Sequence, residues 1–256
     1  MALPASGTIL LSTIKAYFGE GSPPNTLTSY NRGGTYVPDI SQNSNIPASA
    51  SAGNPIRLSQ FRGSSDPETV TYTSGSANNI TTPQYQTSAT FKIWGGGGGG
   101  GYNSISSGGG AGGGAFTIKT LSITGGTTTF NYVVGAGGTG GSNAPSEAGQ
   151  TGGFSRITIN ATNYTANGGN GGLGNGVRGT GGTTSGNGDA GSESGSDGFN
   201  SATGGGDAGG QSYGGGAGGS SAGLVQPTPP GGGGDGGNGI DIGQDGARGE
   251  IVVEYS

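Results

Sequence analysis

The sequence predicts a mainly β protein: a small loop-rich N-terminal module, residues 1–63, then a β-sandwich-like domain, residues 64–256, elaborated by glycine-rich loops wound as polyglycine-II helices. Three observations predict it. The strand-like Ala89-Thr90-Phe91-Lys92-Ile93-Trp94 runs directly into seven consecutive glycines, Gly95 to Gly101. All but eight of the 66 glycines lie from position 95 onward, far above the roughly 7% of ordinary proteins. Finally, Ile251-Val252-Val253 reads as a closing strand that completes a sheet begun before the glycine run.

Taken in order, the N-terminal module contains an internal echo, Ile9-Leu10-Leu11-Ser12-Thr13-Ile14 and Ile56-Arg57-Leu58-Ser59-Gln60-Phe61, each soon followed by glycine. In both copies Ser12 or Ser59 is placed to cap a short helical turn whose next apolar residue, Ile14 or Phe61, packs inward. The two halves are expected to pair in one module. Between them, Ser22-Pro23-Pro24 and the stretch from Tyr30 through Arg32 and Tyr36 to Pro38 read as loops with aromatic and basic anchors. Strand signals follow at 69–73 and 87–94, then at 115–123, 127–134, 154–164 and 249–255, all rich in β-branched and aromatic residues.

From residue 166 to 246 the chain has neither a helical nor a strand period, and glycine does not recur strictly at every third position as collagen requires. Extended left-handed segments with three residues per turn can pack side by side where glycine lets backbones touch, bonding between segments instead of within them. A meander of individually pinned loops is the alternative.

Composition excludes more chemistry than it suggests. With 28% apolar residues, one conventional core cannot organise all 256 positions. There is no cysteine and no histidine, hence no disulfide scaffold, thiolate nucleophile, imidazole base or ordinary zinc site. A net charge of −5 with nine basic residues argues against binding a phosphate backbone. The N-terminus lacks the basic start and long apolar run of a secretory signal, so cytoplasmic synthesis is expected, and the Asn-x-Thr sequons at Asn79, Asn160 and Asn163 carry little meaning.

The motifs with chemistry are weak. Gly-x-Gly-x-x-Gly recurs by chance in such a composition, without the following helix or the Gly-Lys-Ser/Thr that nucleotide sites need. Gly236-Gly237-Asn238-Gly239-Ile240-Asp241 resembles the start of a calcium β-roll repeat, but as a single copy. Asp235, Asp241 and Asp245 read as solvated turn acids, and no metal or cofactor is expected. Glu147, Glu193 and Asp197 lack the apolar surroundings that would tune a glycosidase pair, so no enzymatic activity is expected.

The most suggestive signal is the sparse apolar residues of the glycine region: Tyr102, Phe199 and Tyr213, with Leu224 and Val225. Rigid side chains in side-chain-poor loops suit a recognition surface; folding beneath the loops as small satellite cores is the other reading.

Residues 1–63, with Ala2-Leu3-Pro4-Ala5-Ser6-Gly7-Thr8-Ile9, Ser29-Tyr30-Asn31-Arg32-Gly33-Gly34 and Ile56-Arg57-Leu58-Ser59-Gln60-Phe61-Arg62-Gly63, resemble N-terminal segments of many bacteriophage tail and virion proteins. From about residue 66, Ile93-Trp94 with Gly95 to Gly101, Gly109-Gly110-Ala111-Gly112-Gly113-Gly114 and Val133-Val134-Gly135-Ala136-Gly137-Gly138 resemble the glycine-rich domain of phage tail fibres. The N-terminal part departs from the T-even adhesins. The resemblance implies a virion tail protein in which polyglycine helices form a rigid core and variable loops bind the host, through a bacterial surface glycan or an outer-membrane protein. Ile9, Leu11, Ile14, Tyr30, Arg32, Tyr36, Leu58 and Phe61 are then the candidates for docking to other tail or virion proteins. Tail fibres are commonly trimeric, so a homotrimer is implied, and nucleic acid is not an expected partner. A capsid decoration or tail-spacer protein is the competing expectation. Ice binding on flat Thr or Ala faces is disfavoured by the acids interrupting residues 179–247.

Overall fold

The structure is a computed structural model, and it describes residues 3, 9–18, 26–33, 36–37, 43–49, 55–61, 68–83, 86–142, 145–185, 187–200, 214–219, 225–237 and 241–256. In the N-terminal part the helix α1 (Leu11–Phe18) and the 3₁₀ turns Leu27–Ser29 and Leu58–Phe61 pack around an apolar cluster. Ile14, Tyr30, Val37, Ile46 and Phe61 are fully buried there, joined by Ile9, Phe18 and Ile56. Both echo copies contribute to this cluster, the first through Ile9 and Ile14 and the second through Ile56 and Phe61, while Phe18 and Tyr30 lie against the Phe61 ring at 6.0 and 6.4 Å between centroids. The capping expectation is corrected: Ser12 and Ser59 fall inside the helical segments. The cap of the second copy comes instead from Gln60, whose side-chain oxygen accepts the Arg57 N–H at 2.6 Å, the reach-back half of a capping box.

The rest is built on two four-stranded antiparallel sheets. Their strands are β1 (Glu68–Tyr72), β2 (Ser76–Thr81), β3 (Ser88–Trp94), β4 (Tyr102–Asn103), β5 (Phe116–Ser122), β6 (Thr129–Val133), β7 (Ser146–Glu147), β8 (Ser155–Ile159), β9 (Thr162–Ala166) and β10 (Glu250–Tyr255). One sheet has the order β1-β10-β3-β5 and the other β2-β6-β8-β9, while β4 and β7 pair separately. Burial alternates along β3, β8 and β10, as period-two side chains require when one sheet face is covered. The covered faces meet in one core: Phe91, Ile93, Ile251 and Val253 from the first sheet pack with Phe130, Ile157 and Ile159 from the second. Phe91 meets Phe130 edge-on at 5.4 Å and 74°, a favourable arrangement of ring quadrupoles. The closing strand expected at the C-terminus is β10, central in its sheet between β1 and β3.

One strand expectation is corrected, and the strand β2 is added to those expected. Residues 154–164 form no single strand but the hairpin β8–β9, turned by Asn160 and Ala161 at φ 49 and 60; positive φ at both central residues matches the twist of paired strands. The strand β2 was hidden by its polar sequence and by a bulge between Ala77 and Ile80, beside which Asn79 adopts φ 56 and donates its N–H to Asn131.

Beyond the sandwich, backbone hydrogen bonds repeat every three residues. Along 95–101, the N–H groups of Gly95, Gly98 and Gly101 go to the carbonyls of Ala115, Gly112 and Gly109. Those of Gly96 and Gly99 go to Gly153 and Gln150, and those of Gly97 and Gly100 to Ala247 and Gln244. The carbonyls of the same stretch accept from three other segments: Gly96 and Gly99 from Gly169 and Gly172, Gly97 and Gly100 from Gly138 and Gly141, Gly98 and Gly101 from Gly234 and Gly237. A threefold winding, with no bond inside the segment, is the polyglycine-II arrangement.

The six partners also bond to one another in a closed ring: 108–115, 167–173, 149–153, 135–141, 243–249, 231–237 and back to 108–115. Register shows their direction. Segments that accept from 95–101 run antiparallel to it, segments that donate run parallel, and the two kinds alternate around the ring. Outside the ring, 177–183 and 193–199 add to 108–115, and 216–219 adds to 231–237. The sandwich supplies the register of this lattice, because β3 runs into the central segment and β5, β6, β8, β9 and β10 are each continuous with one member of the ring. Glycine is compulsory at the centre for a steric reason. A Cβ on Gly95 or Gly98 would run into the backbone of Asn167 or Asn170, on Gly96 or Gly99 into that of Ala136 or Thr139, and on Gly97 or Gly100 into that of Gly232 or Asp235.

Candidate functional site

A finite lattice leaves outward-facing amides, and side chains satisfy them as caps do at helix ends. Asp245 accepts the Gly140 N–H at 2.8 Å, Asp197 that of Gly181 at 3.0 Å, Glu147 that of Ser142 at 2.9 Å, and Asn200 that of Arg178 at 3.1 Å. Asp245, which reads in sequence as a solvated turn acid, thus closes the edge of the bundle together with Asp197 and Glu147. Asp189 does the same for the sandwich. It accepts the Lys119 ammonium at 2.6 Å and the Thr120 N–H at 2.8 Å. The bond from Lys119, reinforced by that N–H, holds the Asp189 carboxyl below the ordinary range, while the bond to Asp189 holds Lys119 above its own.

The central segment leaves the sandwich at Gly95 and reaches the far end at Gly101. At that level Gly101 bonds to Gly109, Gly237 to Gly101, Gly141 to Gly100, Gly243 to Gly141, Gly109 to Leu173 and Gly110 to Phe199. The connections after residues 101, 141, 173 and 237 therefore emerge together at the distal end, and 193–199 also ends there. They carry apolar side chains into solvent: Ile105 is 92% exposed, Ile242 61%, Phe199 58%, Val177 47% and Leu173 43%. Five exposed apolar residues at one end of a domain with so few is the concentration expected of an interaction surface.

Asn103 organises this end. Its carboxamide oxygen accepts the N–H groups of Ile105 and Ser106 at 3.0 and 3.1 Å, an Asx turn, and its nitrogen donates to the Gly174 carbonyl at 2.6 Å. Ser104 bonds through its N–H and hydroxyl to Pro145, and β4 pairs with β7 in the register Tyr102 to Glu147. Ile105 is thus exposed on a loop tied at both sides.

Of the candidate contact residues, Phe199 lies at this end and is exposed, and Tyr102 lies there half-buried in β4. Val225 is exposed but belongs to the flank, where Thr228 bonds to Ala217 through its N–H and its hydroxyl. Tyr213 and Leu224 lie outside the described residues. Sequence reasoning missed Asn103, Ile105, Leu173, Val177 and Ile242; the available signal was single apolar residues in Gly/Ser/Asn loops. Of the docking candidates, Ile9, Ile14, Tyr30 and Phe61 form the N-terminal core, Leu11 and Tyr36 pack partly against it, Arg32 is half-buried, and Leu58 is exposed. Burial, with the neighbouring Tyr36, pushes the Tyr30 hydroxyl above its ordinary pKa.

Among the described residues no three acidic side chains gather in a way that holds a metal ion. Asp245 is committed to Gly140, and Asp235 is buried within 231–237. Glu147 sits at the distal end, whereas Glu193 pairs with Phe116 at the sandwich end. No helix of the described residues is long and apolar enough to cross a membrane.

A family model described as a glycine-rich domain matches residues 69–256, the sandwich and the bundle together. No curated protein matches the chain.

Proposed function

The chain belongs to the glycine-rich domain family through residues 69–256, and on that premise we propose that it is a bacteriophage tail-fibre or baseplate-associated adhesin. The N-terminal module joins it to other tail or virion proteins, and the distal end of the bundle meets the bacterial surface. The observation that carries this reading is the set of exposed apolar side chains at the end remote from the sandwich, led by Ile105 and Phe199. A lattice of inter-segment bonds fixes where each distal connection begins and ends, so those connections can vary in sequence without rebuilding a core. Rigid presentation also lowers the ordering cost of binding. An apolar tip of this kind suits an outer-membrane protein as receptor. On the N-terminal module, Leu58 and Leu10 are the exposed large apolar side chains among the described residues and offer contacts for docking, while Ile14, Tyr30 and Phe61 support the module from its core. A homotrimeric fibre would place three tips side by side and raise avidity.

Labelled, purified full-length protein applied to host cells tests this reading. Saturable binding that blocks phage adsorption is expected. Absence of binding at saturating concentration, with hundreds of copies per particle, would replace it with the decoration or spacer role.

A further inference from the structure

On the flank of the bundle, three segments lie side by side: 148–154, 167–173 and 177–183, joined by bonds from Gly152 to Gly169, Asn170 to Thr180 and Asn167 to Thr183. Between them runs an open groove of about 390 Å³ whose floor is glycine, including Gly152, Gly168, Gly181 and Gly182. Because the winding repeats every three residues, outward side chains fall into rungs roughly 9 Å apart along the segments. One rung is Thr151, Asn170 and Thr180; the next is Phe154, Asn167 and Thr183.

The rungs are pre-ordered. Thr151 donates to the Asn170 carboxamide oxygen at 3.4 Å, Asn170 donates to the Thr180 hydroxyl at 2.6 Å, and Asn167 donates to the Thr183 hydroxyl at 3.3 Å. A carboxamide offers two donors and two acceptor sites, and a hydroxyl that already accepts still has its own proton to give. After these internal bonds the groove thus presents donors and acceptors in alternation. Phe154 stands at one end, 44% exposed, with the Arg156 guanidinium 5.1 Å from its ring centre. Among the described residues, no side chain lining the groove is charged.

From this arrangement we infer that the flank groove is a binding site for a neutral polysaccharide. Sugar hydroxyls are themselves both donors and acceptors, and they match Asn and Thr better than they match a carboxylate or an ammonium. The C–H face of a sugar ring packs on an aromatic ring such as Phe154. The groove is open to solvent, so it admits a chain longer than the groove itself, which an enclosed pocket would not. The site is separate from the distal end, and it rests on the adhesin reading only for the source of the glycan, the bacterial surface.

The test is binding of full-length protein to immobilised dextran, laminarin, mannan and galactan, with alginate as the charged comparator, for wild type and for Asn170→Ala, Phe154→Ala, Thr180→Ser and Ile105→Ser. Retention of at least one neutral polymer is expected. It should weaken about tenfold in Asn170→Ala and Phe154→Ala, the loss of one such interaction, and persist in Thr180→Ser, which keeps the hydroxyl, and in Ile105→Ser at the tip. Matching thermal melting curves show that the variants are folded. The inference is overturned if no neutral polymer is retained, if alginate is preferred, or if the groove variants bind as wild type. Failure of the adhesin reading reads out differently, as intact glycan binding without any block of phage adsorption.

Discussion

Gly98→Ala is expected to abolish folding of the bundle. The Gly98 N–H donates to Gly112 at 3.0 Å, its carbonyl accepts from Gly234 at 2.8 Å, and the site of a Cβ is occupied by the backbone of Asn170 and Gly169. No side chain can rotate away to make room. The segment 167–173 would have to move out, and with it the bonds from Gly169 to Gly96, Gly172 to Gly99 and Gly112 to Asn170. Each buried group left without a partner costs about 1–3 kcal/mol, so one methyl group costs on the order of 5 kcal/mol, comparable to the stability of a whole domain. Little soluble protein should be recovered, or it should melt far below wild type. Thr139→Ala, an exposed position on the ring segment 135–141, should stay within about 0.5 kcal/mol. A Gly98→Ala protein that melts with wild type would refute the lattice.

Phe91→Ala should destabilise the sandwich by about 3–5 kcal/mol, the usual cost of emptying a buried aromatic site. Phe91 is fully buried between the sheets against Phe130. The more informative expectation concerns the bundle, which the substitution does not touch. The strand β3 continues into residues 95–101, and five ring segments are continuous with other sandwich strands. Loosening the sandwich should therefore release the register of the lattice. Amide exchange at Gly98, Gly99 and Gly100 should accelerate together with exchange in β3 and β10. If the bundle amides kept their protection while the sandwich amides lost theirs, the two would be independent units.

Most of the sandwich could be read from the sequence because its strands bury one face: alternation along 88–94 and 250–255 is visible without a structure. The turn at Asn160-Ala161 was not visible, since neither residue is the glycine that usually marks positive φ. The lattice was legible as a need for glycine but not as a register. A glycine has no side chain to indicate which neighbour it faces, and the register comes from sandwich strands distant in sequence. A trace of it does survive in the residues that are not glycine. Ala136, Thr139 and Ser142 are exposed at intervals of three, as are Val177, Thr180 and Thr183 outside the ring, and in the row Asn167, Asn170 and Leu173 the last two are exposed and Asn167 is half-buried. That period is neither 3.6 nor 2, which is why a search for helices and strands passes over it. At the distal end, Phe199 was legible as an isolated aromatic. The Asn103 turn that presents Ile105 depends on Gly174 and Pro145, and no local pattern encodes those partners.

The most direct test is competition for host cells against phage adsorption, comparing full-length wild type with the double substitution Ile105→Ser and Phe199→Ser, after melting curves confirm equal folding. Both residues are exposed at the distal end, so the substitutions should leave the lattice intact. If each side chain supplies about 2 kcal/mol as a binding hot spot, the double variant should need several hundredfold more protein to block adsorption, or fail to block it. A double variant that blocks adsorption at wild-type concentrations would contradict recognition by the distal end.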